Sequence, residues 1–218
     1  VNLTNYDGAV TLGEDVLNFT SNGVRDLTIT GDDLQTFDAT GILDPNATTA
    51  DLVGPTIDLT DQGRMTTITV AGTVYSVTIS DTSATTIDLG GAADALVVQN
   101  GISINNNKDI SSLDMTGTTA SGVTYSTNES LASLTIDVTF AAGVSSAGVV
   151  AATGINGTVS IVGNEDLSSV EISSTKIENL TVTGNEDLAS LSATGFLAAA
   201  ATAAIGATGK ATVNIYNN

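Results

Sequence analysis

Ile161–Ser173 reads IVGNEDLSSVEIS and Val182–Thr194 reads VTGNEDLASLSAT, so nearly the same acidic turn occurs twice, 21 residues apart. A spacing of about 20 residues marks a chain that winds and stacks on itself, because each unit buries its apolar side chains only against the next. Aligning the two turns yields a template, H-x-H-x-(G/N)-N-x-x-H-x-x-H-x-H, with H apolar. It fits Val159, Ile161, Leu167, Val170 and Ile172, and then Leu180, Val182, Leu188, Leu191 and Ala193. Upstream it fits Ile102, Ile104, Ile110, Leu113 and Met115, and Val123, Tyr125, Leu131, Leu134 and Ile136. Ile57, Leu59, Met65, Ile68 and Val70 match without a gap. Two more copies need a turn one residue shorter: Leu27, Ile29, Leu34, Phe37, Ala39, and Val77, Ile79, Ala84, Ile87, Leu89.

The H-x-H parts predict strands with one buried face, and the H-x-x-H step carries the chain round a corner. Asn107, Asn128, Asn164 and Asn185 occupy that corner. Asn tolerates left-handed backbone and bonds its own neighbours, so it suits a tight bend. Stacked copies would let these amides bond to one another as a ladder.

Longer repeats carry inserts: ILDPNATTADLVG from Ile42, FAAGVSSAGVVAATG from Phe140 and FLAAAATAAIGATG from Phe196. The Ala-rich third insert predicts a short helix. VNLTNY at the start and VNIYNN at the end both match the strand before the Asn corner. With no initiating Met and no signal peptide in 218 residues, the chain reads as a single repetitive domain, 1–218, cut from a longer surface protein.

Five Lys plus Arg against 24 Asp plus Glu give a formal charge of -19. That excludes nucleic acid, which needs a basic patch, and disfavours an anionic membrane surface. No run approaches the roughly 18 apolar residues of a membrane span, so no membrane insertion is expected. Hydrophobic residues make up 41% and aromatics 4%, so the core must be built from Val, Ile, Leu and Ala. The absence of Cys removes disulfides and thiolate chemistry.

ISINNNKDISSLDMTG and VSIVGNEDLSSVEIS resemble the bacterial leucine-rich and receptor-L-type β-solenoids, where an Asn corner precedes an L-x-S-L strand. GEDVLNFTSNGVRDLTITGDDLQTFDATG resembles the Thr-, Asn-, Ala- and Gly-rich body of Gram-negative S-layer proteins. That second resemblance implies an acidic, Cys-free subunit of a two-dimensional lattice on the cell exterior. The calcium-roll nonapeptide G-G-x-G-x-D is approached only by GGAADAL from Gly90.

Without His or Cys the usual nucleophile–base pairs cannot be built, and the five basic residues are scattered, so no catalytic residue and no enzyme are expected. Glu165–Asp166 and Glu186–Asp187 hold equivalent places, and stacking would bring like charges together. The simplest role for them is to face water at a turn. The functional one is to hold a hard cation, Ca²⁺, on oxygen ligands, which makes these four the candidate metal residues and Ca²⁺ the one candidate cofactor.

The fold predicted is all-β with minor α inserts, a parallel β-solenoid (β-helix) of stacked coils; the alternative is a β-sandwich with antiparallel hairpins. The predicted function is a structural, extracellular cell-surface protein, an S-layer lattice subunit or comparable assembly, with itself as partner. The alternative is an adhesin or carbohydrate-binding module that meets a surface glycan.

Overall fold

Short runs in which apolar residues alternate with Thr, Ser, Asn or Asp dominate the chain, and each becomes a strand with one face inward. Thr56–Thr60, TIDLT, buries Ile57 and Leu59 and exposes the three residues around them. The computed structural model describes residues 1–4, 9–13, 15–22, 26–29, 33–42, 56–90, 96–140, 157–196 and 212–218. Among these residues the protein is all-β, with parallel sheets of stacked strands and no helix.

Each strand pairs with its counterpart in the next repeat. In the first stack Ile57 lies beside Val77, Val77 beside Ile102, Ile102 beside Val123, Val123 beside Val159, and Val159 beside Leu180. A second column runs Leu59, Ile79, Ile104, Tyr125, Ile161 and Val182, two residues further along each strand. None of these twelve side chains is more than 2% exposed. Removing each from water contributes about 1.5–3 kcal/mol, so the columns are the main source of stability. Thr212–Tyr216 closes the stack, with Val213 beside Leu180 and Ile215 beside Val182. Ala9–Leu12 and Asp26–Ile29 form a separate two-stranded parallel sheet.

The second stack holds the later H-x-H of each repeat. Phe19 pairs with Phe37, Phe37 with Ile68, Ile68 with Ile87, and Ile87 with Leu113. Leu134 pairs with Val170 and Val170 with Leu191. The Phe19 and Phe37 rings stack with centroids 5.4 Å apart. A third, narrower stack joins Gly72–Val74 to Leu96–Val98, then to Thr118–Ala120 and Val138–Phe140. Its three-residue strands are too short to show periodicity. Ser169–Thr183 is a single 15-residue strand that pairs within all three stacks as it bends.

Every described strand pair is parallel, so the hairpins a β-sandwich requires do not occur among them. The three inserts, and with them the expected helix, lie outside the described residues apart from their first residues, Ile42, Phe140 and Phe196, each of which ends a strand. Tyr125 and Ile161 remain register partners although 36 residues separate them, so the insert does not disturb the stacking.

The start of the chain corrects the sequence reading. Asn2–Thr4 pairs with Thr20–Asn22 and not in the corner-forming stack. Ala9–Leu12 takes the strand position before the corner, with Val10 beside Leu27 and Leu12 beside Ile29. The turn that follows is two residues shorter than the template, with Val16 and Phe19 where the longer copies place Leu167 and Val170. VNIYNN does sit where expected.

Candidate functional site

The corner after the first stack is the most regular polar feature of the molecule. It works by a division of labour that the sequence reading did not foresee. The left-handed residue is the one before the ladder position: Asp61 (φ 58), Asp81 (55), Asn106 (55), Thr127 (51), Gly163 (64), Gly184 (67) and Asn217 (54). The corner Asn residues are therefore not chosen for left-handed backbone. They are chosen for their amides, which are buried: Asn107, Asn128, Asn164 and Asn185 are all 1% exposed or less.

Each amide serves two neighbouring repeats. Asn128 Oδ1 accepts from Asn107 N at 3.0 Å and from Asn107 Nδ2 at 2.9 Å. Asn164 Oδ1 accepts from Asn128 N at 3.0 Å, and Asn185 Oδ1 from Asn164 N and Nδ2. In the other direction Nδ2 donates to a strand carbonyl of the preceding repeat: Asn128 to Ile104 O, Asn164 to Tyr125 O and Asn185 to Ile161 O. Thr82 extends the ladder upward, its N and Oγ1 both donating to Asn107 Oδ1. Asn218 extends it downward, accepting from Asn185 N and Nδ2 and donating to Val182 O. The sequence reading missed both positions, though each lies three residues past its strand's second apolar residue, as the template requires.

Glu165, Asp166, Glu186 and Asp187 flank this ladder, all exposed. The structure brings the four together around one open cleft of about 410 Å³, lined also by Gly163, Asn164 and Gly184. Among the described residues no three carboxylates converge closely enough to hold one metal ion.

A second group of acids lies on the outer face of the second stack, at the middle residue of the later H-x-H. Asp38 pairs with Thr69, Thr69 with Asp88, and Asp88 with Asp114. Burial, and then the neighbouring Asp114, raises the Asp88 carboxyl above the usual range. Asp114 shifts the other way, because Thr116 donates from its backbone N–H, at 2.8 Å, and from its hydroxyl. In the core, the Tyr125 hydroxyl has no hydrogen-bond partner among the described residues, and burial raises its pKa well above the ordinary tyrosine value. Arg64 pairs with Asp33 at 2.7 Å on the surface. These arrangements can hold repeats in register and repel or attract other molecules by charge. Compared with known proteins, the chain matches no family model, no curated sequence and no solved structure.

Proposed function

We propose that the protein is a parallel β-solenoid serving as a structural component of an extracellular cell-surface assembly, of the S-layer kind, built by stacking end to end. The observation that carries this reading is the state of Thr212–Tyr216. Val213 and Ile215 continue the two core columns in register, yet they are 48% and 53% exposed. An open parallel edge with inward-pointing apolar residues is a template for another strand. Asn218 supports the reading, since it presents the ladder position that Asn107, Asn128, Asn164 and Asn185 fill with partners on both sides. In the proposed assembly the strand that covers this edge has the same pattern and comes from a second copy.

The acidic corner enters the same proposal. Stacking adds one more pair of acids to the row that includes Glu165, Asp166, Glu186 and Asp187, so screening salt or Ca²⁺ promotes assembly. Electron microscopy and light scattering of the purified protein, in chelator and in millimolar Ca²⁺, test the proposal. Stacks or filaments that disappear in Ile215→Asp are the expected result. A particle that remains monomeric in both conditions would overturn it. Glycan-array binding by such a monomer would establish the carbohydrate-binding alternative.

A further inference from the structure

The two ends of the stack are stepped in opposite senses. At the lower end Thr212–Tyr216 closes the first stack one strand beyond Ser190–Phe196, which closes the second. At the upper end the second stack reaches further. Asn2–Thr4 lies above Asn18–Asn22, whereas Ala9–Leu12, in the same turn as Asn18–Asn22, tops the first stack. Among the described strands each of these four pairs along one edge only. Edges that stay unpaired are usually guarded by charge or proline, and none of the four strands carries either. Exposed large apolar residues gather at the same places. Of those among the described residues, Val1 and Leu17 lie at the upper end and Val213, Ile215 and Tyr216 at the lower, with Val97 the exception. The amide ladder has a direction as well, for from Thr82 to Asn185 each backbone N–H donates to the residue below. Asn218 meets its upper neighbour with its carboxamide oxygen, and its own N–H is the next donor in the series. At the upper corner the exposed Asp15 lies three residues past Leu12, as Asn218 lies three past Ile215. An ionised carboxylate only accepts.

We propose that the joint between copies is polar: the lower end of one copy docks on the upper end of the next, head to tail. The inference rests on the assembly reading above and specifies which surface of the second copy is used. One step along the stack brings Thr212–Tyr216 over Ala9–Leu12, with Val213 in register with Val10 and Ile215 with Leu12. The same step brings Ser190–Phe196 over Asn2–Thr4, with Leu191 above Val1 and Ala193 above Leu3. Val1 and Leu3 are placed for this because they stand over Phe19 and Ser21, in the columns that Leu191 and Ala193 continue. The two opposite steps therefore interlock in one movement. Asp15 supplies the acceptor that the Asn218 N–H requires, so the ladder crosses the joint. Neither symmetric pairing does this. Tail to tail sets the Asn218 donors against each other, and head to head sets Asp15 against Asp15. Strands about 16 Å long on sheets about 10 Å apart give a joint of a few hundred Å² per copy. That is short of the roughly 800 Å² per partner of a stable pair, so single joints exchange on dilution.

The test blocks one end at a time in the full chain, at residues exposed in the single copy so that each variant still folds, which thermal melts check. Ile215→Asp blocks the lower end, and Val1→Asp with Asp15→Lys blocks the upper. Sedimentation in millimolar Ca²⁺ is expected to find either variant alone monomeric. An equal mixture should give a discrete dimer, at least about tenfold more than either variant alone, because one intact lower end then meets one intact upper end. Dimers of the upper-blocked variant alone would mean tail-to-tail pairing, and dimers of the lower-blocked variant alone head-to-head pairing. Either would overturn the polar joint and leave end stacking standing. A mixture that stays monomeric while wild type assembles would also overturn it. If both variants assemble as wild type does, or if wild type itself stays monomeric with and without Ca²⁺, the assembly reading falls together with this inference.

Discussion

Asn164 donates twice to a single atom: its backbone N at 3.0 Å and its Nδ2 at 2.8 Å both end on Asn185 Oδ1. The same side chain accepts from Asn128 above, so one residue ties three repeats together. Asn164→Leu leaves the buried Asn128 N–H without its acceptor and the Tyr125 carbonyl without its amide donor, while Asn185 Oδ1 keeps only the backbone N–H of residue 164. A loss of about 1–3 kcal/mol is expected in denaturant melts. A change below about half a kcal/mol would show that the ladder is incidental to stability.

Thr127 is a β-branched residue at φ 51, where the next two repeats have Gly163 and Gly184. A left-handed L-residue costs about 1–2 kcal/mol, and glycine returns part of that through unfolded-state entropy. Thr127→Gly should therefore stabilise the protein by about 0.5–1 kcal/mol. Urea unfolding that shows a decrease would refute the strain argument.

Tyr125, between Ile104 and Ile161, hides a hydroxyl that finds no hydrogen-bond acceptor among the described residues. Tyr125→Phe should raise stability by about 1 kcal/mol at neutral pH. The folded state holds the phenolic proton beyond the pH at which the unfolded chain releases it, so this residue's contribution falls as pH rises above about 10. Tyr125→Phe should flatten that part of the pH–stability curve, and an unchanged slope would count against it.

Asp88 and Asp114 are register partners with opposite shifts. Because the folded Asp88 pKa is raised, its contribution is most favourable at acid pH, below the unfolded value, and is lost as pH rises through the folded value. Asp88→Asn should therefore stabilise at pH 7 by at most a few tenths of a kcal/mol, since water screens the pair, and the gain should vanish near pH 3. Asp114→Asn should do the reverse, removing stability present at neutral pH and lost in acid. Thermal melts of both variants across that range would expose an error in either sign.

Leu167 is 1% exposed, whereas Leu188, its counterpart one repeat later, is only partly buried against the core. Leu167→Ala should cost about 2–5 kcal/mol and Leu188→Ala clearly less, because fewer atoms surround it. Equal losses would mean that Leu188 is covered in solution, which assembly at the open end would explain; repeating the measurement on the Ile215→Asp variant separates the two cases.

The register of both main stacks was legible in the sequence. A slip of one residue would turn every apolar side chain outward, so Ile161 and Val182, or Val170 and Leu191, had to align. The corner amides were legible for the same reason, as one polar position at a constant offset from two apolar ones. Other features depend on where the chain closes each turn and which repeat lies beneath it. The left-handed residue precedes the Asn because Asn107, Asn128, Asn164 and Asn185 must point inward to reach the next repeat, and only the neighbouring backbone remains free to bend. Leu96–Val98 and Thr118–Ala120 become strands because their partners arrive alongside them, not through any pattern of their own. Asp88 meets Asp114 only across 26 residues of chain. Whether Val213 and Ile215 are buried is likewise set by what packs below them, a contact no local pattern encodes.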